Sequence, residues 1–295
     1  IVEKNCHISK FITLKILELL TEKISMTFIA KQCHVSLTTV LRVLKSVESQ
    51  LPQQLKPRSF PEVLMVDEFR SHASYEDKMS FICADGETGE LVDILPSRKL
   101  DKIIPYFNRS PLEEREKVKF LVTDMNAAYF QLTKNVFPTA KLIIDRFHIV
   151  KHLNTAFNDF RVREMKRLIT NKKKSKANKL KSNWKLLLKN QTNISISEFK
   201  TWRSFPSPKY HLLTESMVID RLLSFSSELK EAYDIFHLLM YHFRNKDDRS
   251  FFELLKNLPD SLDTQFRDKI ENLISYEEGI RNALKYNFSN GKIEA

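Results

Sequence analysis

The chain has 295 residues, 42% of them hydrophobic, which is enough for a substantial core and two or three domains. It carries a formal charge of +11 but no signal-peptide pattern and no apolar run of the roughly 18 residues that a membrane span requires. Three scattered cysteines (Cys6, Cys33, Cys83) exclude a disulfide framework and fit a reducing cytoplasm, while four glycines favour long helices over many tight turns.

In chain order, residues 11–48 read as helices, with Phe11, Leu14, Leu17 and Leu20 at helical spacing. Residues 25–47 fit a helix-turn-helix. Small Ala30 sits in the first helix, Val35 at the turn, and Ser36 is placed to cap the second helix. Val40 and Val43 form the inward face of that second helix. Ser36, Thr38, Thr39 and Arg42 then face a DNA groove or its phosphates. His34 occupies the turn position where glycine is usual, and histidine tolerates left-handed geometry better than most residues. A plain helical hairpin is the alternative. Pro52, Pro57 and Pro61 mark a linker over 51–61, so residues 1–50 form a first unit.

A β-rich region follows. Strands are expected near 62–68, 79–84 and 91–95, with the Asp85-Gly86-Glu87-Thr88-Gly89 stretch as a hairpin turn. Helical segments near 100–107 and 111–116 lead to a strand at 118–123, a helix near 126–134 and a strand at 140–144. Three antiparallel strands, helix, strand, helix, strand is the order of a ribonuclease-H-like α/β core, expected over 62–150. From 151 to 285 the pattern is mostly helical, which predicts one large helical domain inserted between the last core strand and the final residues.

The charge is concentrated. Residues 161–190 hold twelve of the lysines and arginines against one acid, Glu164, and the rest of the chain is balanced. Such a segment is the usual footprint of a polyanion partner, with Lys172, Lys173, Lys174 and Lys176 as its centre. A merely solvated charge run is the alternative.

Two aspartates end apolar runs. Asp67 closes the run from Glu62, and Asp124 closes the run from Val118. A carboxylate at the carboxyl end of a buried strand is held rigidly at the mouth of an open sheet, where such sheets place their sites. Two from neighbouring strands can share a hard divalent cation. Strand-end aspartates also cap helices and start turns, which is the alternative for either one alone. Glu68 alternates to the opposite strand face and is not expected to be a ligand.

Four segments in order carry a family resemblance: MVDEF at 65–69, VTDMNAAY at 122–129, DRFHIVKHLN at 145–154 and SNGKIEA at 289–295. Together they resemble the DDE transposases of bacterial insertion sequences, of the ISL3-type branch. The resemblance implies that Asp67, Asp124 and Glu294 are the catalytic carboxylates and the ligands of Mg2+, with Mn2+ as a substitute. It implies that 151–285 is the insertion domain and 286–295 the start of the core helix that carries the glutamate. Asp145, His148 and Asn290 take supporting roles, with a helix cap and a polar helix residue as the alternatives for the first two. Lys151 and His152 are expected to contact phosphate.

The implied reaction is hydrolysis that frees a 3′-hydroxyl at the element end, followed by attack of that hydroxyl on target DNA. The implied partners are the double-stranded DNA of element ends and target, and a second copy of the chain on paired ends. The implied setting is the bacterial cytoplasm, in association with the nucleoid. Members of the family carry cysteine pairs ahead of the helix-turn-helix. Here only Cys6-His7 and Cys33 stand in that region and no CxxC exists, so no zinc site is expected. The chain starts at Ile1 without Met and stops at Ala295, directly after the glutamate, so it is expected to be a piece of a longer protein. Two further functions stay open: a catalytically dead DNA-binding remnant or regulator, and a metal-dependent nuclease without strand transfer.

Overall fold

Three serines start the first three helices. Ser9 Oγ accepts from Ile12 N at the head of α1 (Lys10–Leu20), Ser25 Oγ from Phe28 N at α2 (Met26–Gln32), and Ser36 Oγ from Thr39 N at α3 (Leu37–Glu48). Each side chain satisfies a backbone N–H that has no partner inside its helix. The three helices close on Ile16, Ile29, Ala30, Cys33, Val40 and Val43. His34, between α2 and α3, has φ +53°, the left-handed conformation expected of that turn position. Thr38 and Arg42 are exposed on α3, and the Ser36 hydroxyl lies 2.9 Å from that of Thr39.

This computed structural model describes residues 8–22, 24–48, 59–71, 77–207 and 209–291, in two compact units, 1–58 and 59–295. Most of the linker expected at 51–61 lies outside the described residues.

In the second unit, β1 (Val63–Arg70), β2 (Met79–Asp85) and β3 (Leu91–Leu95) form an antiparallel meander. In the turn between β2 and β3, the Asp85 carboxylate accepts from the backbone N–H groups of Glu87 and Thr88, and Gly89 takes φ +79°. The chain continues through α4 (Leu100–Phe107) and α5 (Leu112–Arg115) to β4 (Phe120–Thr123). A 3-10 turn at Ala127–Tyr129 and α6 (Phe130–Asn135) then lead to β5 (Lys141–Ile144). The helix expected from 126 therefore starts as a tighter turn, because the Asn126 side chain accepts from Ala128 N. The sheet order is β3-β2-β1-β4-β5, with β1, β4 and β5 parallel.

Alternation along the strands builds two cores. Leu64, Val66, Phe81, Cys83 and Leu121 pack on one face with Phe107, Tyr129 and Phe137. Met65, Val122 and Ile143 pack on the other with the long helix α7 (Arg146–Thr170). Cys33 and Cys83 are buried and free, and burial pushes the Cys83 thiol up to about 12, so it stays protonated.

Beyond α7 the chain is helical: α8 (Lys174–Ser182), α9 (Trp184–Leu187), α10 (Glu215–Leu223), α11 (Ser227–Arg244), α12 (Asp248–Lys256), α13 (Thr264–Glu271) and α14 (Glu277–Lys285). Their apolar faces share one core, in which Phe157 and Phe236 stack at 4.8 Å. The last helix, α14, lies directly against β5. Asn282 Nδ2 donates to Leu142 O at 2.8 Å, and a methyl group on Gly279 would sit 2.8 Å from Ile144 Cγ1. Among the described residues no helix is long and apolar enough to cross a membrane.

Candidate active site

Strand register aligns three aspartates. Met65 is opposite Val122 on β1 and β4, and Val122 is opposite Ile143 on β4 and β5. Two residues further along each parallel strand come Asp67, Asp124 and Asp145. The three therefore stand level on the face that buries Met65, Val122 and Ile143, with Asp124 and Asp145 just past the ends of β4 and β5 and Asp67 inside β1, which runs on to Arg70 beyond the strand end expected near 68. The expected pairing of Asp67 with Asp124 depends on β4 inserting beside β1. A simple meander continued in sequence order would have separated them.

Asp67 and Asp124 are half-buried, and Asp145 is almost fully buried at 2% exposure. Burial raises the pKa of Asp124 above the ordinary carboxylate range, and the charges of Glu68 and Asp67 add to the rise. The Asn126 N–H, which donates to Asp124 Oδ1 at 2.9 Å, and nearby His148 oppose it. A positive ion between the aspartates would relieve this repulsion.

Asp145 starts α7 but makes no capping bond with its side chain. Its Oδ1 accepts instead from Asn290 N at 3.4 Å. Asn290 is fully buried, and its Nδ2 donates to Val66 O at 3.1 Å, one residue before Asp67. Asn290 Oδ1 has no hydrogen-bond partner among the described residues. His148 Nε2 is likewise buried with no hydrogen-bond partner among the described residues, 3.9 Å from Asp145 Oδ2.

A cleft of about 580 Å³ opens beside Asp124. Its lining combines the acids Asp124 and Glu68 with the cations Arg98 and Lys151 and with His148 and His152. Lys151 holds its ammonium 5.8 Å from the Phe147 ring, and His152 is tied by Nε2 to Lys269 O at 2.7 Å.

Glu68 turns to the opposite strand face, as alternation requires, yet it still borders the cleft. Its Oε1 accepts from Asn126 Nδ2 and Tyr129 Oη, both at 2.8 Å, and Oε2 pairs with Arg98. Burial, together with the bond to Glu68, holds the Tyr129 phenol far above its ordinary pKa, so it remains a donor. Sequence reading missed Arg98, Asn126 and Tyr129. Asn126 and Tyr129 lie inside the VTDMNAAY segment and were within reach, whereas Arg98 carries no local signal.

Glu294 lies outside the described residues. Among the described residues no three acidic, histidine or cysteine groups converge closely enough to cage an ion on their own. The donor set still fits Mg2+, which prefers oxygen, keeps several waters and is commonly held by one or two carboxylates together with substrate phosphate.

Of the expected phosphate contacts in the basic run, Lys172, Lys173 and Lys174 are exposed around the joint that precedes α8, where Lys172 takes φ +59°. Lys176 is half-buried, its ammonium 5.1 Å from the Phe225 ring. Ser36, Thr38, Thr39 and Arg42 belong to the separate first unit.

The sequence model of a family described as Transposase, the ISL3-type DDE group, matches residues 64–295. A protein of Lactococcus lactis subsp. lactis named "ATP-dependent protease" is 35% identical over 85 residues. That match covers 28% of this chain and 26% of the relative, so the chain spans about a quarter of the relative's length. The four glycines of this chain, Gly86, Gly89, Gly279 and Gly291, do not form the phosphate-binding glycine loop of ATP-using enzymes.

Proposed function

The chain belongs to the ISL3-type DDE transposase family, and from that premise we propose that it cleaves the DNA ends of an insertion sequence and joins them to target DNA. The observation that carries the reading is the level placement of Asp67 and Asp124 on adjacent parallel strands. The strand order β3-β2-β1-β4-β5 favours a ribonuclease-H-like core, and α2 with α3 favours a helix-turn-helix that reads DNA through Ser36, Thr38, Thr39 and Arg42.

In this reading Asp67, Asp124 and Glu294 hold Mg2+, or Mn2+ in its place. Bound there, the ions would activate an attacking oxygen and relieve charge on a leaving one in an in-line displacement. Arg98 and Lys151, which line the cleft, bind the scissile strand by its phosphates. Asp145 and Asn290 fix the strand ends, and His148 faces the same edge. A water oxygen attacks the phosphorus at the element end and the 3′ oxygen leaves with a proton. That 3′-hydroxyl then attacks a target phosphodiester, so one P–O bond forms as one breaks. In this reading residues 1–50 recognise DNA, 51–61 are a linker, 62–150 are the core, 151–285 the insertion and 286–295 the start of the helix that carries Glu294. The partner is double-stranded DNA, with a second copy on paired ends, in the cytoplasm.

The test uses the full-length protein with duplex end DNA. Asp67→Asn, Asp124→Asn and Glu294→Gln are each expected to abolish Mg2+-dependent cleavage while DNA binding survives. Retained cleavage in any one variant removes that residue from the triad. Binding of end DNA by the unaltered protein, with no divalent-dependent cutting, would leave a DNA-binding regulator instead. Cutting without joining would leave a nuclease.

A further inference from the structure

Several cations of the helical region are matched by acids. Lys189 meets Glu215 and Lys269 meets Asp159, both at 2.5 Å, Arg167 meets Glu164 at 2.8 Å, and Arg163 pairs with Asp263. A groove of about 1100 Å³ between α8 and the 202–204 turn gathers cations without acids. Lys174, Lys179, Lys181 and Arg203 line it, with no acid among the lining residues. Lys174, Lys181 and Arg203 have no carboxylate partner among the described residues.

Four like charges facing one groove repel each other. The groove is also held in shape before any ligand arrives. Ala177 and Leu180 bury the inner face of α8, and the buried Arg161 donates to Leu180 O at 3.1 Å. Asn183 Nδ2 donates to Lys179 O at 2.7 Å and to Ser204 Oγ at 3.0 Å, which ties the end of α8 to the opposite wall. Lys179 is braced 4.4 Å from the Phe205 ring. Lys174 and Lys181 are seven residues apart, so they share one helix face at a spacing of about 10.5 Å.

We propose that this groove grips the phosphate backbone of double-stranded DNA at a surface separate from the cleavage cleft. The inference rests on the reading that the chain acts on DNA. Phosphates along one strand advance about 3.4 Å each, so the helix face spans about three of them. The amide of Asn178 and the hydroxyl of Ser175 add neutral donors of the kind that position a phosphate backbone. A concave polar groove fits a cylinder of charge better than it fits a flat lipid surface. Of the lysines expected from sequence, Lys174 lines the groove and Lys172, Lys173 and Lys176 do not. Lys179, Lys181 and Arg203 take their place.

The experiment measures affinity of the full chain for a 30-base-pair duplex against salt concentration. It compares wild type with the triple variant Lys174→Gln, Lys181→Gln, Arg203→Gln. A control triple, Lys230→Gln, Lys246→Gln, Arg249→Gln, loses the same charge elsewhere on the surface. Each phosphate contact contributes about 0.9 to the slope of log affinity against log salt, so the groove variant should lose about 2–3 of slope. The control should keep the wild-type slope, and Lys174→Arg with Lys181→Arg should retain it too.

An unchanged slope in the groove variant overturns the proposal, as does an equal loss in the control. So does a variant that loses binding of polyglutamate while duplex binding stays intact, which would point to an acidic protein. Cleavage of end DNA by wild type, measured alongside, keeps the two readings apart. The groove fails alone if cutting persists and the slope does not change. The catalytic reading fails alone if the slope falls and wild type never cuts.

Discussion

The side-chain amide of Asn126 donates to Glu68 Oε1 at 2.8 Å, while the backbone N–H of the same asparagine donates to Asp124 Oδ1 at 2.9 Å. One residue thus links the carboxylate beside Asp67 to the carboxylate at the end of the neighbouring strand. Glu68 also holds Arg98 and Tyr129. With these donors engaged, Glu68 serves as a brace for the turn that carries Asp124.

Loss of that brace should loosen the site without emptying it. Partners that orient a ligand are typically worth roughly 10–100-fold in metal affinity. Asn126→Ala and Glu68→Ala are each expected to weaken Mn2+ binding by about tenfold, read by calorimetry on the DNA-free protein. Both variants should keep duplex affinity within a factor of a few. Unaltered Mn2+ affinity in both would show that Asp124 needs no such support.

Asn290 predicts a stability effect. Its amide bridges Val66 O and its backbone N–H meets Asp145, from a fully buried position. Asn290→Ala removes the side-chain donor to Val66 O, while the backbone N–H to Asp145 remains, and should cost about 1–3 kcal/mol, measured by urea unfolding. Asn290→Asp should cost more, since it sets a second buried carboxylate beside Asp145. A stability equal to wild type in both variants would mean that the bridge contributes nothing.

His237 predicts an acid limb in the stability curve. Burial lowers its pKa from 6.5 to about 4, opposed by its bond to Leu187 O at 3.0 Å. The folded state therefore keeps the ring neutral where the unfolded chain takes up a proton. Stability is full above pH 6.5 and falls as pH drops toward 4, by about 3 kcal/mol in total from this group. His237→Gln should flatten the decline across that window. An unchanged pH dependence would assign the limb to other groups.

Gly279 decides how closely α14 approaches the sheet. Alanine in a helix interior normally gains about 0.5–1 kcal/mol over glycine. Here its methyl would meet Ile144 Cγ1 at 2.8 Å, inside contact distance, and overpacking typically costs about 1–3 kcal/mol. Gly279→Ala is therefore expected to destabilise. The double variant Gly279→Ala, Ile144→Val, which removes the Cδ1 that would lie 3.0 Å from the new methyl and leaves Cγ1, should recover part of the loss in thermal unfolding. A rise in melting temperature for Gly279→Ala alone would mean that β5 and α14 separate easily.

Local chemistry was legible in the chain itself. The apolar runs ending at Asp67 and Asp124 are strands because their alternation and length suit a half-buried or fully buried ribbon. Serine placement marked the start of α3, and the Asp85–Gly89 stretch marked a turn, since both act over three or four residues. Glu68 was correctly placed on the far face from Asp67, because side-chain direction along a strand alternates by geometry alone. Tertiary structure decided what depends on neighbours distant in sequence. Placing β4 between β1 and β5 brought Asp67, Asp124 and Asp145 level. Bonds from Arg98, Asn126 and Tyr129 turned Glu68 from a bystander into a brace. Packing of α8 against the 202–204 turn selected which lysines of the basic run face a groove and which rest on aromatic rings. Charge and periodicity are properties of the chain, but the meeting of two charges is a property of the space between segments, and only the folded packing sets that space.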